Sequence, residues 1–585
     1  MVAGTGIRNT KNFTLEFPLP LSLLIRSRDR SHTAGLSSSP ALFDLPGISD
    51  FKSPISGPKV RGIGPSGPAP DTMHTSLLPL FLATCVFLAG PLAAQQLRHP
   101  PTRPNILWLV ADDMNWDSPG CFGGVAEGVT PNIDRLAEEG LQFWHAYVNI
   151  AVCTPSRSVM LTGLYPQNNG AEGFQRIRPG TPNLPALLNA AGFLCGTIGK
   201  PLNQQELFRW STTYTWQGKG DENLWGRDPE VYRRFARDFF ATAKSARQPF
   251  FLMASTHDPH DPFAISGTRG RHPDNRHYER AESSRTYGPA EIRLSAGLPD
   301  LPEIRKHLAA YASSVRRTDD MVGAVLQELD RAGLTENTIV LFLSDHGMAF
   351  PGVKANCYPD STRSPWVIRW PGKVAKGRDD KHHMLSCIDL QPTFLEAVGL
   401  PPVEQTDGRS FLPLLHGERQ ENRDYVFTQF FHIHGKDAYP MRGVLSRDWA
   451  YLFNPWSDGK RSFPRQWNGF GAFQKLAGSD PAMKRRVNHL LHRRVEEFYN
   501  LHQDPYCLSN LLEVQASSPD LPASMNQFRN QLREFMRQVK DPALPAFDQR
   551  RDPEALQSFM RDYTARATRE IEELRAYERT KGYRF

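Results

Sequence analysis

The sequence is poor in cysteine and has no strong excess of charge of either sign. Seven cysteines occur in 585 residues and no two form a C-x-x-C pair, so neither a disulfide scaffold nor a zinc ribbon is expected. The 69 basic and 62 acidic residues leave a formal charge of +7 that is not concentrated, which gives no indication of a nucleic-acid partner. With 39% hydrophobic residues the chain can bury cores, and its length predicts two to four domain-sized units.

The N-terminal region lacks the pattern of a folded domain. Residues 1–72 are rich in Ser, Pro and Gly, and we expect them to be disordered or a mis-annotated extension before a true start at Met73. The apolar run 77–89, followed by small residues up to Ala94, predicts a signal peptide over 73–94 that is too short for a membrane span. An internal hydrophobic helix is the alternative. After residue 94 no Asn-x-Ser/Thr sequon occurs, whereas a glycosylated lysosomal enzyme usually carries several. This favours a protein exported to the periplasm or secreted by a bacterium.

Short apolar runs alternate with helical patterns along the next three hundred residues. This order predicts an α/β fold with a large, mostly parallel central sheet flanked by helices. Four of the runs, at 105–110, 192–198, 250–254 and 338–343, are followed closely by charged or metal-binding side chains. Ligands bind beyond the carboxyl ends of strands in open α/β sheets, so we expect one shared site there. The side chains concerned are those of Asp112, Asp113, Lys200, His257, His260, Asp345 and His346.

The three carboxylates of this set need a counter-charge. Asp112, Asp113 and Asp345 repel one another in a low-dielectric cleft, and a hard divalent cation resolves that conflict. Oxygen ligands suit Ca²⁺ or Mg²⁺. Basic groups at the same edge, Lys200 and His257, would then suit an anionic part of a substrate. In the alternative interpretation Asp112 caps a helix or turn and Asp113 pairs with a surface arginine.

One cysteine has an unusual position. Cys153 directly precedes a Thr-Pro-Ser helix start, near backbone N–H groups without partners and the positive end of a helix dipole. Such a position activates a thiol. Arg157 lies one helical turn further and can reach it. The alternative is a buried structural cysteine.

The stretch Cys-Thr-Pro-Ser-Arg followed by Leu-Thr-Gly, at 153–163, resembles the signature of the type I sulfatases of the alkaline phosphatase superfamily. The resemblance runs from about residue 103 to about 511. It includes Ile-Gly-Lys at 198–200, His-Asp-Pro-His at 257–260 and Ser-Asp-His-Gly at 344–347. Within the family, Tyr-Pro-Met-Arg-Gly at 439–443 is most similar to the heparan N-sulfatases.

This resemblance implies a modified nucleophile. Cys153 would be oxidised to Cα-formylglycine by a formylglycine-generating or anaerobic sulfatase-maturating enzyme. One hydroxyl of the hydrated aldehyde would attack sulfur, and the second would allow sulfate to leave. The implied Ca²⁺ ligands (Mg²⁺ is the weaker alternative) are the modified Cys153 with Asp112, Asp113, Asp345 and His346.

The remaining roles implied by the resemblance fall to basic residues. Arg157 would position the nucleophile, Lys200 and Lys354 would neutralise charge on the sulfuryl oxygens, and His257 would protonate the leaving group. One feature departs from the family pattern, because relatives commonly have Lys-x-His where this chain has Lys200 followed by Pro-Leu-Asn203. Either Asn203 or a histidine from elsewhere in the chain takes the role of the missing histidine, or proton transfer in the second step of the reaction differs from that of the family. The enzyme would then work by altered chemistry or have weakened activity.

The resemblance also predicts the domain organisation. A catalytic domain over 103–415 precedes a smaller α+β subdomain on an antiparallel sheet over 424–515. A helical extension over 523–585 is expected to be solvated; the alternatives are that it wraps the body of the protein or forms a homodimer contact. Loops of the subdomain normally close the substrate cleft, which gives three weak specificity candidates: His432, His434 and Arg442. For the two histidines, exposed turns are the alternative interpretation.

The sequence therefore predicts an exported, calcium-dependent sulfatase that hydrolyses sulfate esters or sulfamates of a sulfated carbohydrate. Two alternatives remain: a phosphodiesterase or phosphonate hydrolase of the same superfamily, and a glycan-binding relative that has lost turnover. The identity of the sugar and the linkage, O- or N-sulfate, stay open.

Overall fold

A computed structural model describes most of the chain after the N-terminal region, namely residues 103–200, 205–214, 226–264, 282–433, 438–464, 467–514 and 521–581. All of them belong to one structural unit, Ala94–Phe585. The predicted extension 1–72, the predicted signal peptide 73–94, Asn203 and His434 lie outside the described residues. Within the described ranges, none of the helices has both the length and the apolar character that a membrane crossing requires.

An eight-stranded sheet forms the centre of the fold. Its strand order is β5-β4-β6-β1-β7-β8-β2-β9, and every neighbouring pair is parallel except the two pairs made by β8. The predicted mostly parallel sheet is confirmed. In chain order, its strands and those of a two-stranded β3–β10 ribbon are β1 (Asn105–Asp112), β2 (Leu141–Phe143), β3 (Ala146–Tyr147), β4 (Leu194–Gly199), β5 (Thr212–Tyr214), β6 (Phe250–Pro259), β7 (Thr338–Ser344), β8 (Trp366–Arg369), β9 (Arg378–Asp380) and β10 (Leu385–Ser386).

The second sheet has four antiparallel strands in sequential order, as predicted for the smaller C-terminal part. They are β11 (Val426–Phe430), β12 (Met441–Leu445), β13 (Trp449–Phe453) and β14 (Glu496–Asn500).

Helices cover both faces of the central sheet and pack against the small sheet. They are α1 (Pro131–Glu138), α2 (Cys153–Thr162), α3 (Pro166–Asn169), α4 (Leu184–Ala190), α5 (Gln205–Phe208), α6 (Pro229–Ala246), α7 (Pro302–Arg331), α8 (Pro359–Thr362), α9 (Leu390–Ala397), α10 (Leu412–Leu415), α11 (Phe470–Ala477), α12 (Pro481–His492), α13 (Leu511–Val514), α14 (Leu521–Gln538), α15 (Leu544–Asp548) and α16 (Pro553–Lys581).

Strand β1 is apolar at successive positions because both of its faces are covered. Successive side chains point to opposite faces of a strand. Ile106 and Trp108 pack into the core shared with α2, α4 and α9, whereas Leu107 and Leu109 pack into the core shared with α1, α6 and α7. All eight residues of β1 are buried, including the final Asp112.

The C-terminal helices pack against the small sheet. Phe528, Leu532, Phe535 and Met536 of α14 are buried in the same core as that sheet, and the ring of Phe535 stacks on Phe427 of β11 at 4.2 Å between centroids. Phe528, Leu532 and Met536 follow one another at intervals of four residues and Phe535 lies three after Leu532, which is the period of one helical face. The expectation of a solvated helix is therefore wrong for α14, which instead packs against the body of the protein, one of the alternatives for this extension.

Candidate active site

Four neighbouring strands of the central sheet carry the candidate site. β4, β6, β1 and β7 are adjacent and parallel, so their carboxyl ends lie at one edge. Asp112 ends β1, Lys200 follows β4, His257 lies near the end of β6 and Asp345 follows β7. The structure thus brings together the residues that the sequence placed at this edge.

A sharp turn after β1 directs two consecutive carboxylates into the site. Asp113 has a φ of +64°, a left-handed conformation that is uncommon for residues other than glycine and is often found at functional sites. Its backbone N–H donates to Asp345 Oδ1 at 3.1 Å. The two loops after β1 and β7 are therefore joined directly at the site.

Cys153 is the first residue of α2, so the helix begins at the cysteine and not after it. The side chain is 5% exposed. Its Sγ lies 3.3 Å from His346 Nε2 and 4.0 Å from Asp113 Oδ1. The thiol therefore faces the carboxylate cluster from the positive end of a helix.

Arg157, one turn further along α2, contacts the carboxylates. Its Nε donates to Asp345 Oδ2 at 2.8 Å, and its Nη2 lies 3.8 Å from Asp112 Oδ1. Burial lowers the pKa of Arg157, but Asp345 and Asp112 outweigh burial and raise it. Among the described residues, both terminal nitrogens of Arg157 and Asp112 Oδ1 are buried without a hydrogen-bond partner. Such groups are costly to leave unpaired, so this corner of the site is suited to a ligand.

Two lysines pair with the carboxylates after β1. Lys200 Nζ donates to Asp112 Oδ2, and Lys354 Nζ donates to both oxygens of Asp113 at 2.8 and 2.7 Å. Burial raises the pKa of Asp112, but Lys200, His260 and Arg157 hold it well below its usual value. With Asp345 and Arg157, the site thus contains three carboxylates and three cationic side chains.

His346 points its ring into the same cluster. Nε2 lies 3.3 Å from Asp113 Oδ1 and 3.7 Å from Asp345 Oδ1, while Nδ1 lies 3.0 Å from the carbonyl oxygen of Gly347. Burial lowers the pKa of His346, but Asp345, Asp113 and Cys153 outweigh it and raise the pKa to about 9.

The His-Asp-Pro-His turn is held by arginines that sequence reasoning did not identify. Asp258 is fully buried, and it accepts hydrogen bonds from Arg227 and from Arg317, whose Nε and Nη2 approach at 2.6 and 3.0 Å. His257 and His260 flank this anchored residue. Arg317 lies inside α7, and no local sequence signal connects it with β6.

The two histidines of the turn differ in their contacts. Burial, together with the charges of Lys200 and Arg227, holds the pKa of His257 well below its usual value. His260 Nε2 lies 3.9 Å from Asp113 Oδ2, so this histidine approaches the cluster as well. His260 was part of the motif in the sequence but had no predicted role.

Four of the five predicted metal ligands form one group. Asp112, Cys153, Asp345 and His346 are buried and offer ligand atoms that all lie within 4.8 Å of one another. Asp113 instead groups with Cys153 and His260. The carboxylate oxygens, and in particular the unpartnered Asp112 Oδ1, fit a hard divalent cation.

The other described cysteines differ from Cys153 in their surroundings. All six are free thiols. Burial is the main cause that raises the pKa of the remaining five, so they stay neutral and unreactive; these are Cys121, Cys195, Cys357, Cys387 and Cys507.

Two specificity candidates from the subdomain are buried instead of lining a cleft. The guanidinium of Arg442 is fully buried, where it donates to Asp541 at 2.5 and 2.9 Å and lies over the ring of Phe431. The side chain of His432 is also fully buried, with Nε2 2.9 Å from Gln175 Nε2. Both the specificity prediction for these residues and the exposed-turn interpretation of His432 are therefore wrong.

Comparisons with known proteins agree with this site. Residues 104–400 match the family described as Sulfatase, and residues 353–454 match the family described as N-sulphoglucosamine sulphohydrolase, C-terminal. The chain is 30% identical over 485 residues to the N-sulphoglucosamine sulphohydrolase of Homo sapiens, covering 76% of this chain and 92% of the relative. It is 25% identical over 486 residues to an ulvan-active sulfatase of Formosa agariphila, covering 76% of each.

Solved structures show the same fold. A protein solved in complex with its substrate D-glucosamine-2-N,6-O-disulfate superposes with a TM-score of 0.55 at 18% identity, over 75% of this chain and 99% of that chain. A phosphonate monoester hydrolase of Agrobacterium radiobacter gives the same TM-score and identity over 75% of this chain and 96% of that one. The chain belongs to the sulfatase family and is a sulfuric ester hydrolase.

Proposed function

We propose that this sulfatase removes sulfate from N-sulfated glucosamine in a sulfated carbohydrate, with Ca²⁺ and a formylglycine derived from Cys153. The observation that carries the substrate proposal is the match of residues 353–454 to the C-terminal family of the N-sulphoglucosamine sulphohydrolases. The 30% identity to the human enzyme of that name supports it over most of the chain.

The position of Cys153 supports its role as the modified nucleophile. When oxidised and hydrated, this residue would supply a geminal diol. Its first hydroxyl would bond to sulfur as the bond from sulfur to the leaving nitrogen breaks, and its second would lose its proton to form the aldehyde as the C–O bond to sulfate breaks. The start of α2 and the neighbouring cations stabilise negative charge at this point. His346 Nε2, 3.3 Å from the sulfur, is close enough to bind the same ion as the modified residue.

The charge balance of the site favours an anionic substrate. Once His346 has lost its proton to act as a ligand, the three carboxylates and three cationic side chains cancel, and a bound Ca²⁺ would leave an excess of two positive charges. Asp112, Asp345 and His346 would hold the ion, together with the modified residue 153, and it would polarise a sulfate oxygen. Lys200 and Lys354, now paired with Asp112 and Asp113, would then turn toward the sulfuryl oxygens.

Proton delivery to the leaving nitrogen falls to the His-Asp-Pro-His turn. The depressed pKa of His257 makes it a neutral N–H donor in the free enzyme, and the negative charge of a bound sulfate would favour its protonated form. His260 is our candidate for the histidine that this chain lacks after Lys200, since its ring lies 3.9 Å from Asp113. Asp258, fixed by Arg317, keeps both rings in place.

The modification is tested by mass spectrometry of the peptide that contains residue 153, after expression with and without a formylglycine-generating enzyme. We expect conversion of the thiol to an aldehyde, and sulfate release only from the converted protein. The matched control is Cys153→Ala, which keeps the fold but carries no nucleophile. Undiminished activity of a protein that retains the thiol contradicts the mechanism.

The substrate is tested by sulfate release from a panel of mono- and disaccharides that differ only in the sulfated position. N-sulfated glucosamine is expected to be cleaved with the highest kcat/KM. Release from 6-O-sulfated or 2-O-sulfated sugars alone would contradict the proposal while leaving the sulfatase assignment intact.

A phosphodiesterase or phosphonate hydrolase is the second candidate, and the imidazole of His346 in the ligand group favours it. Nitrogen ligands suit transition metals better than Ca²⁺. The metal content of the purified protein and its activity on phosphonate monoesters discriminate the two: Ca²⁺ with no phosphonate hydrolysis excludes this candidate.

Export remains part of the proposal. It depends on the apolar run within residues 73–94, which lies outside the described residues. Secretion of the mature protein by a host, with loss of residues up to Ala94, tests it by N-terminal sequencing.

A further inference from the structure

A basic cavity lies between the small antiparallel sheet and the C-terminal helices, and it shares no lining residue with the site described above. Its volume is about 750 Å³, which is within the range of ligand-binding cavities. Its walls come from three separate segments of the chain: the stretch 455–461 after β13, residues 494–495 before β14, and residues 550–561 around the start of α16.

The walls carry an unbalanced positive charge. Asp458 is the only acidic residue among the lining side chains, against six basic ones: Lys460, Arg461, Arg494, Arg550, Arg551 and Arg561. Asp458 is already occupied, because its Oδ1 accepts the backbone N–H groups of Lys460 and Arg461 at 2.9 and 2.7 Å. The acidic residue therefore shapes the turn and does not neutralise the basic side chains fully.

Within the described residues, two of the six basic side chains form ion pairs with carboxylates. Arg494 pairs with Glu513, and Arg550 pairs with Glu496 at 3.1 Å. Over the described part of the chain, no ion pair joins the other four to a carboxylate: Lys460, Arg461, Arg551 and Arg561. Positively charged side chains around a concave surface concentrate the electrostatic field and attract anions.

The cavity is built on rigid elements. Trp456 is buried and its ring meets Tyr439 edge-on at 5.0 Å, while Leu556 and Met560 of α16 belong to the main hydrophobic core. The basic side chains thus project from anchored backbone, which reduces the entropy that binding must overcome.

A short series of contacts connects this cavity with the active site. Arg493, the neighbour of the lining residue Arg494, donates from Nη2 to Asn356 Oδ1 at 2.7 Å. Asn356 Nδ2 donates in turn to the carbonyl oxygen of Lys354 at 3.1 Å. Hydrogen bonds therefore connect the wall of the cavity with the loop that carries the active-site residue Lys354.

We propose that this cavity binds a sulfated stretch of the saccharide chain at a distance from the residue that is cleaved. The inference rests on the proposed function, because it takes the substrate to be a sulfated carbohydrate. A nucleic acid fits less well, since the only aromatic lining residue, Trp456, is 1% exposed and offers no stacking surface to a base.

The test compares binding of a heparin octasaccharide to variants of a Cys153→Ala background, in which no turnover can occur. Removing two cavity charges in Arg551→Gln/Arg561→Gln is expected to weaken binding about tenfold at low salt and to reduce its salt dependence. The control Arg135→Gln/Lys376→Gln removes two exposed positive charges elsewhere on the chain and is expected to bind as the background does. Both cavity arginines are exposed, so the fold should be unaffected.

A second readout separates the cavity from catalysis. With residue 153 intact and matured, the cavity variant should keep its kcat/KM on an N-sulfated monosaccharide, which is too short to reach both places. Equal loss of octasaccharide binding in the two double variants, or none in the cavity variant, overturns the proposal. So does equally tight, cavity-dependent binding of single-stranded DNA of the same charge. Failure of the proposed function is distinct: sulfate release from N-sulfated sugars would be absent, while cavity-dependent binding in the Cys153→Ala background would persist.

Discussion

The imidazole of His346 is expected to make cation binding at the active site depend on pH. Its Nε2 lies 3.3 Å from Asp113 Oδ1 and 3.7 Å from Asp345 Oδ1. Burial lowers the pKa of His346, but these carboxylates and Cys153 outweigh burial and raise the pKa to about 9. An imidazolium has no lone pair for a metal, so a cation that uses Nε2 as a ligand must displace a proton.

The size of the effect follows from that pKa. Between pH 6 and pH 8, both below the pKa of about 9, the affinity for Ca²⁺ is expected to rise about a hundredfold, or roughly 2.7 kcal/mol. The stability of the cation-free protein should change in the opposite direction. Because the folded-state pKa of His346 lies above its unfolded value of 6.5, its stabilising contribution is complete below pH 6.5 and is lost as the pH rises toward 9, by roughly 3 kcal/mol.

Isothermal titration of the unmatured protein with Ca²⁺, in buffers of different ionisation enthalpy, measures both the affinity and the number of protons released. About one proton should be released per ion at pH 7. His346→Asn keeps an oxygen ligand but does not titrate, so its affinity should be flat and its proton release absent. Urea unfolding without Ca²⁺ should show a steeper loss of stability with rising pH in the wild type than in His346→Asn. A wild-type affinity that is constant from pH 6 to pH 8, or the same slope in His346→Asn, would refute the reasoning.

Two further predictions concern positions away from the cation ligands. Arg442→Met leaves the Asp541 carboxylate buried without its ion-pair partner and should lower the free energy of unfolding by about 3–5 kcal/mol in urea titrations. The double variant Arg442→Met/Asp541→Leu should restore most of that loss. A loss below about 1 kcal/mol in the single variant contradicts this prediction. In Gly226→Ala the new Cβ would lie 2.0 Å from His257 Cδ2, and kcat/KM should fall about a hundredfold. Gly399→Ala is the matched control, because its φ of +72° equals that of Gly226 (+73°) but no atom lies within 4 Å; equal losses would assign the effect to backbone strain.

The central sheet could be predicted because its strands are encoded locally. The runs 105–110 and 338–343 are apolar throughout, as strands covered on both faces must be. The strand predicted at 250–254 is longer in the structure, since β6 continues to Pro259. Its extra residues are polar, and their burial depends on partners from elsewhere, such as the two arginines on Asp258. A local pattern contains no information about such partners.

The contacts within the site could not be predicted for the same reason. Asp113 and Lys354 are 241 residues apart in sequence, and Asp258 and Arg317 are 59 apart. The order of strands, β4-β6-β1-β7, brings Asp113 and Asp258 to the same edge of the sheet. Which cation each carboxylate meets depends on the turns after the strands. The left-handed Asp113 is one such turn, and nothing in its sequence neighbourhood requires it.

The buried state of Arg442 and His432 has a consequence for substrate recognition. The sequence interpretation gave both to the substrate cleft, with an exposed turn as the alternative for His432, yet Arg442 is fixed by Asp541, which lies between α14 and α15. The C-terminal helices thus cover this side of the small sheet, and the side chains there are buried. Among the described residues, the cavity that the start of α16 helps to line is basic, at Arg551 and Arg561. We therefore expect the C-terminal helices to contribute to binding of a long anionic chain, and the edge of the central sheet around Cys153 to bind the residue that is cleaved.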